Sequence, residues 1–267
     1  MSVYSGDKAE YLDESIASVV VKQIVKPDEY VIVKDGPVGG KIELVLNHWK
    51  KLLGSKFLIL RMGYNVGLAR ALNAGLRACT YGYVARMDAD DVSLPERFKV
   101  QVQFMKKNPD ISLLGSWYKQ FDDNMVTVIS ERKVPKNHSE IVKFSRSRTP
   151  FNHCTVLYRK ENIISVGGYP EAIGYMEDWW LALKLISKGF RLHNLPLYLV
   201  NVRGGAAFMS RRRGALYLRQ ELMNLRVMYM SGLITRVDFI RNSMIRIVVR
   251  SMPVNITELA YRLIRKT

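Results

Sequence analysis

Asp88, Asp90 and Asp91 crowd the end of an apolar run from Tyr81 to Met87, and Val92-Ser93-Leu94-Pro95-Glu96-Arg97 follows as a helix start. Carboxylates packed this tightly repel one another and raise each other's pKa unless a cation sits among them. Oxygen-only ligands of this kind suit Mg²⁺ or Mn²⁺ held together with substrate phosphates. The chemistry they point to is a metal-bound phosphate at the carboxyl end of a strand. The plain alternative is an acidic turn that caps the helix after Pro95.

A second acidic pair, Glu177-Asp178, follows the glycine-rich stretches Gly167-Gly168-Tyr169-Pro170 and Gly174-Tyr175-Met176 and precedes Trp179-Trp180. The helix dipole favours acids at a helix start, so capping competes with a general base set beside aromatic faces that stack on a sugar. Local chemistry leaves open which acid is the base. Asp35-Gly36-Pro37 ends an apolar run and reads either as a turn or as a carboxylate that accepts a hydrogen bond from a nucleotide base. Asn65 to Asn73 opens a helix after a strand. There Gly67 lets the backbone approach a ligand, the helix N-terminus favours an anion and Arg70 adds a charge-assisted bond. A glycine needed only for packing is the alternative. The histidines His48, His138, His153 and His193 lack metal-ligand spacing, and His153, ahead of the glycine loop, is the one that draws attention.

These residues need elements to position them. Apolar runs at Tyr30–Lys34, Phe57–Arg61, Tyr83–Asp88 and Ile111–Tyr118 predict strands, separated by helical patterns at Glu10–Lys22, Lys41–Leu53, Val66–Ala78 and Pro95–Lys107. This alternation predicts an α/β fold with a mainly parallel central sheet, whose ligands bind beyond the carboxyl ends of the strands. After residue 121 the rhythm changes: Met125–Val134 and Cys154–Arg159 predict a mixed or antiparallel extension. Glu177–Gly189 then predicts a helix and Leu197–Val202 a strand.

The 267 residues carry a formal charge of +17, which points to an anionic partner. From Arg203 to Thr267 there are 13 Lys/Arg and 3 Asp/Glu, so +10 of the +17 falls in the last quarter. Within Thr235–Arg250, Val237, Ile240, Met244, Ile247 and Val248 share one helical face among arginines. That segment is either an ordinary surface helix or one that lies on an anionic membrane. Arg211-Arg212-Arg213 are candidates to face substrate phosphates, and Arg262, Arg265 and Lys266 extend the basic tail past Pro253. Cys79 and Cys154 lie far apart without metal-ligand spacing, as inert thiols of a reducing compartment do. With neither a leader nor an apolar run of about 18 residues, the expected location is cytoplasmic.

Taken in order, Ser2-Val3-Tyr4, Asp35-Gly36, Asn65-Val66-Gly67-Leu68-Ala69, Met87-Asp88-Ala89-Asp90-Asp91 with Pro95-Glu96-Arg97-Phe98, Gly167-Gly168-Tyr169 and Glu177-Asp178-Trp179 resemble the inverting glycosyltransferases of family 2, with the GT-A fold. The stretch Ala85 to Asp91 further resembles bacterial enzymes of exopolysaccharide and O-antigen assembly, of the amylovoran type. The resemblance implies a GT-A catalytic unit over 1–210, with a nucleotide-sugar-binding half at 1–120 and an acceptor-binding half at 121–210. A basic helical, membrane-proximal extension at 211–267 follows.

It further implies that Tyr4 and Asp35 hold the nucleotide base, Asp88 the ribose or diphosphate, and Asp90 a divalent Mn²⁺ or Mg²⁺, with Asp91 buttressing the loop. Gly67 and Arg70 then belong to the nucleotide-sugar site. Asp178 is the implied base, while His153, Gly168, Glu177 and Trp179 line the acceptor side. Lys34 and Pro37 stand where the family often carries an acid and a serine, so base recognition is expected to differ in detail. The implied partners are a nucleotide sugar (UDP-linked), a polyprenyl-diphosphate-linked saccharide and an anionic membrane surface, with no nucleic acid. The implied location is the inner face of the cytoplasmic membrane. Two other classes compete: a nucleotidyltransferase, for which Ser5-Gly6-Asp7-Lys8 is too poor a phosphate loop, and a basic binding module without catalysis, which leaves the acids unexplained.

Overall fold

β1 (Ser2–Val3), β2 (Tyr30–Lys34) and β3 (Phe57–Arg61) pair in parallel, with Val3 beside Lys34 and Lys34 beside Arg61. The structure, a computed structural model, describes residues 1–171, 176–204 and 215–251. Helix α1 (Ala9–Val20) follows β1 and α2 (Gly40–Leu53) follows β2. Leu12, Ile16, Val19 and Val20 of α1 and Ile42, Leu46 and Trp49 of α2 sit at helical spacing and bury one face each against Ile32, Phe57, Met87 and Phe98. Each such aliphatic side chain contributes about 1.5–3 kcal/mol when taken out of water.

The second sheet has the order β4 (Tyr83–Ala85), β8 (Leu157–Arg159), β6 (Ile111–Phe121), β9 (Arg191–Arg203), β5 (Val92–Ser93), and β7 (Val128–Arg132) pairs with β6. β6 and β9 run parallel, whereas β4–β8, β6–β8, β5–β9 and β6–β7 are antiparallel. Parallel pairing thus occupies β1–β3 and the long β6–β9 pair. The antiparallel part is larger than the extension after residue 121 alone, because β4 and β5 join it. The pairing of Val92 with Asn201 brings the start of β5, and the acids just before it, against the carboxyl end of β9.

α3 (Leu68–Ala78), α5 (His138–Ser145), α6 (Lys160–Ser165) and α7 (Glu177–Ser187) share a second core through Leu72, Leu76, Ile141, Ile163, Tyr169, Leu181 and Leu185. α4 (Arg97–Lys107) lies against β6 and β8 in a further core that includes Met105, Leu114 and Leu157. α7 ends at Gly189, whose φ of +80° suits the left-handed position, and Phe190 N–H returns to the Leu185 carbonyl at 3.0 Å. Two further helices, α8 (Ala215–Met230) and α9 (Arg236–Ser251), close on α7: Leu225, Met228 and Ile234 pack on Trp179, Trp180 and Leu183. Among the described residues no helix is long and apolar enough to cross a membrane. Gly174 and Tyr175 of the second glycine stretch, Arg211-Arg212-Arg213, Pro253 and the basic residues Arg262, Arg265 and Lys266 lie outside the described residues.

Candidate active site

The loop between β4 and β5 carries Asp88, Asp90 and Asp91, and it is held from several directions. Ser15 Oγ on α1 donates to the Asp88 carbonyl at 2.7 Å, and the buried Arg86 pairs with the Asp88 carboxylate. Asp91 is 2% exposed, and its Oδ1 accepts the Arg203 main-chain N–H at 3.0 Å. Arg203 Nε donates to the Asp90 carbonyl at 3.1 Å, while the same guanidinium reaches the Glu14 carboxylate and the Asp123 carbonyl. Beneath the loop, fully buried Arg97 donates to the Arg86 carbonyl at 2.8 Å and to Gln101 Oε1 at 3.1 Å. Burial brings the Arg97 pKa down to about 10.

The electrostatics of the loop decide what it can bind. Burial, and then the charges of Asp88 and Asp90, push the Asp91 carboxyl well above the usual carboxylate range. Burial opposes the charge of Arg86, but Asp88, with smaller help from Cys154 and Tyr169, outweighs it and holds the guanidinium protonated. Among the described residues, metal-ligand atoms of Asp88, Asp91 and Cys154 lie within 4.8 Å of one another. Burial, then Asp91 and Asp88, push the Cys154 thiol well above its usual value, so it stays an S–H and a poor ligand for a hard ion. What remains is a set of mutually repelling carboxylate oxygens, which fits a hard divalent cation. Asp90 lies on the same loop, half-buried and outside the three-atom cluster.

Glu177 and Asp178 open α7, directly after Met176 with its left-handed φ of +69°. Asp178 Oδ1 accepts the Trp179 N–H at 2.8 Å and Oδ2 accepts the Thr149 hydroxyl at 3.0 Å. Burial, then the adjacent charge of Asp178, raise the Glu177 pKa to about 7. Arg86 and Asp88 also act on it, in opposite directions. The acids of the β4–β5 loop and those of α7 therefore share one electrostatic environment, although they come from different halves of the chain.

A polar pair, His153 and the buried Tyr169, adds to this environment. His153 Nε2 stands 2.9 Å from the Tyr169 hydroxyl. Burial, then Arg86, drive the His153 pKa well below its usual value, so the imidazole is neutral. Tyr169 is locked by Asn73 of α3, which accepts the Tyr169 N–H and donates to its carbonyl, both at 2.9 Å. Gly168 makes this latch possible: its φ is +68° and a Cβ there would meet Asn73 Oδ1 at 2.5 Å. Its positive φ and close approach to Asn73 set the backbone geometry of this loop.

On the expected nucleotide side, Asp35 is 4% exposed, and its two oxygens accept the N–H groups of Val66 at 2.6 Å and Gly67 at 3.1 Å. An anion does sit at the start of α3, and it is the Asp35 carboxylate itself. Gly36, with φ +86° and Asn65 N only 2.6 Å from a would-be Cβ, lets this contact close. Tyr4 is 40% exposed, and Arg70 is exposed and pairs with Glu171 at 3.6 Å.

One residue expected on the acceptor side lies in the core. Trp179 is 2% exposed, donates Nε1–H to the Ser145 carbonyl at 2.6 Å, and carries Arg246 over its ring at 5.2 Å. It is a core residue and offers no face to a sugar. Arg203, Glu14 and Thr149 carried no signal in the sequence, whereas Arg86 and Arg97 stood inside the stretches Ala85 to Asp91 and Pro95-Glu96-Arg97-Phe98 without a role of their own.

Comparison with known proteins adds three kinds of likeness. The family described as Glycosyl transferase family 2 matches residues 1–213. The amylovoran biosynthesis glycosyltransferase AmsE of Erwinia amylovora is 36% identical over 269 residues, covering 100% of this chain and 98% of that protein. The UDP-Gal:alpha-D-GlcNAc-diphosphoundecaprenol beta-1,3-galactosyltransferase of Escherichia coli is 36% identical over 262 residues, 98% of this chain and 94% of that one. The mannosyltransferase PcManGT from Pyrobaculum calidifontis, solved with GDP-Man and Mn²⁺, superposes with a TM-score of 0.63 at 16% identity, over 91% of this chain and 67% of that one. At that identity the likeness shows the fold alone, which is GT-A.

Proposed function

This chain belongs to glycosyl transferase family 2 and is a glycosyltransferase, and from that premise we propose a metal-dependent inverting hexosyltransfer. The donor is a nucleotide sugar, UDP-linked, and the acceptor a saccharide on a polyprenyl diphosphate. The product is a β-linked repeat-unit intermediate of exopolysaccharide or O-antigen. The relative that names UDP-Gal and a GlcNAc-diphosphoundecaprenol acceptor, together with the amylovoran enzyme, supports this choice of substrates. The observation that carries the proposal is the pair of held carboxylate sets, the acidic loop fixed by Arg86 and Arg203 and the α7 pair oriented through Thr149, with Asp88 and Arg86 close enough to bear on the Glu177 pKa.

In this proposal Asp90, with Asp88, holds Mn²⁺ or Mg²⁺, and Asp91 stiffens the loop through Arg203. The ion supplies charge neutralisation for the departing diphosphate. Tyr4 and the Asp35 loop receive the base, Arg70 adds positive charge on the diphosphate side, and His153 and Glu177 line the acceptor side. Asp178 takes the proton of the acceptor hydroxyl while that oxygen attacks the anomeric carbon from the face opposite the nucleotide. One in-line displacement inverts an α-linked donor to a β-linkage. Asp178 has a fixed orientation for this task, given by Thr149 and the Trp179 N–H. A second assignment has its own support: Glu177, with a pKa near 7, is matched to proton transfer at neutral pH.

The test is incubation of purified protein with labelled UDP-, GDP- and dTDP-sugars and a synthetic sugar-diphosphate-lipid acceptor, with product NMR. A β-linked hexose from the UDP donor is expected, lost in Asp90→Ala. Asp178→Asn should bind donor but not transfer it. Full transfer by Asp178→Asn with none by Glu177→Gln would move the base to Glu177.

A further inference from the structure

α8 and α9 turn ionic and polar groups inward beside the apolar residues that pack on α7, and carry further apolar side chains on their outer sides. On the inner side, Arg250 makes bonds of 2.9 and 3.1 Å to Glu221 of α8, and Asn242 donates to the Arg146 carbonyl at 2.7 Å. On the outer side of α9, Val237, Ile240, Met244 and Val248 are 72%, 45%, 56% and 52% exposed. α8 repeats the pattern with Leu216, Met223, Val227 and Met230 at 83%, 52%, 39% and 72%. Spacings of seven, four and three, and of three, four and four, place each set on a single helical face. A helix that only covers a core turns its apolar stripe inward. α8 and α9 do this only in part, through Leu225, Met228 and Phe239, and leave a second apolar set facing outward.

The charges around the outward faces have one sign. Arg219, Arg226, Arg236 and Arg241 are exposed, whereas Glu221 and Asp238, the acidic residues of 215–251, are each 5% exposed and paired with arginines. Aliphatic and methionine side chains rimmed only by arginine complement an anionic lipid headgroup layer with acyl chains beneath it. A protein partner of ordinary mixed charge would meet no acid here. The pair of helices is also anchored next to the proposed chemistry: it packs on Trp179 and Trp180, and Asn242 holds the Arg146 carbonyl in the segment that leads to Thr149, the partner of Asp178.

We propose that the outward faces of α8 and α9 dock the enzyme on an anionic phospholipid surface, with α7 as the rigid connection between that surface and the acceptor side of the site. The inference deepens the proposed function, which supplies the membrane-borne acceptor, but lipid binding is measured without catalysis.

The experiment is co-sedimentation of the full chain with vesicles of phosphatidylcholine alone or mixed in equal parts with phosphatidylglycerol. Binding to the mixed vesicles, weakened by salt, is expected, with little binding to the neutral ones. Arg226→Gln and Arg236→Gln should each lower the partition about five-fold. Ile240→Ser/Met244→Ser should lower it about ten-fold or more, since both side chains leave lipid. Circular dichroism and transfer to a short-chain, water-soluble acceptor should stay at wild-type level in these variants. Equal binding to both vesicle types, binding unaffected by the variants, or a dimer that the serine variant dissociates would each overturn the proposal. Lipid binding without transfer to any acceptor would instead refute the proposed function and leave the docking surface standing.

Discussion

The main-chain N–H of Arg203 donates to Asp91 Oδ1 at 3.0 Å and its guanidinium Nε to the Asp90 carbonyl at 3.1 Å, so the last residue of β9 fixes the acidic loop across 112 positions of sequence. Side chain and main chain act separately here. Arg203→Ala keeps the bond to Asp91 and removes those to the Asp90 carbonyl and Glu14. The loop then loses its orienting support while keeping its carboxylates. Apparent affinity for Mn²⁺ should weaken by about ten-fold, as loss of an outer support around metal ligands does. Unfolding free energy should fall by about 1–3 kcal/mol, since a buried guanidinium and its charge-assisted hydrogen bonds are lost. Arg203→Lys should recover little, because an ammonium cannot fork between several acceptors. A metal titration of donor hydrolysis is the measurement, and an unchanged half-saturation point would remove Arg203 from the site.

Glu177 sets a pH dependence of stability. Its pKa rises from 4.5 to about 7 on folding, chiefly through burial and then Asp178. The folded state therefore binds the proton more tightly than the unfolded chain, and stability is lost as pH climbs from 4.5 towards 7. Above that window the penalty is constant. Glu177→Gln, which cannot ionise, should match the wild type near pH 4.5 and gain on it steadily up to about pH 7. Thermal melts of the two proteins across this range test it. A stability difference that is flat with pH would show that Glu177 ionises freely in the folded protein.

Motifs were legible where a few adjacent residues do one local job. Asp35 ends a strand, Asp88 to Asp91 end another, and Glu177 and Asp178 begin a helix, so apolar periodicity and helix-start chemistry located them. Pairings between distant residues were not. The Arg203–Asp91 contact, the Asn73–Tyr169 latch and the inward turn of Arg250 onto Glu221 exist only once β9, α3 and α8 are in place. β5 is two residues long and carries no periodicity, so its antiparallel seat beside β9 had no local signal. The face that a helix buries depends on what packs on it. Trp179 beside two acids read as a sugar platform until α8 covered it, and the apolar stripe of α9 read equally well as a core face.

That burial makes Trp179 a clean discriminator. Trp179→Phe keeps an aromatic ring in the core and removes the 2.6 Å bond to the Ser145 carbonyl. The orphaned carbonyl should cost about 1–3 kcal/mol, visible as a lower denaturant midpoint. A sugar-stacking residue would respond differently, since phenylalanine presents a smaller platform and raises KM for the acceptor. With the ring 2% exposed, KM should stay unchanged within error while the melting point drops. A rise in KM at unchanged stability would return Trp179 to the acceptor site.

Cys154 tests the nature of the metal donors. It clusters with Asp88 and Asp91, and by proximity alone it qualifies as a third ligand. Its thiol, however, is pushed well above its usual value by burial and by those two carboxylates, so binding as a thiolate would need a proton removed against negative charge. Mn²⁺ and Mg²⁺ gain little from sulfur. Cys154→Ala should therefore keep its half-saturating Mn²⁺ concentration within about three-fold of wild type, whereas loss of a true ligand costs far more than the roughly 10–100-fold of a supporting residue. Cd²⁺ provides the counter-test. A soft ion that supported catalysis better than Mn²⁺ in the wild type, with that advantage lost in Cys154→Ala, would place sulfur in the coordination shell and undo the oxygen-only assignment.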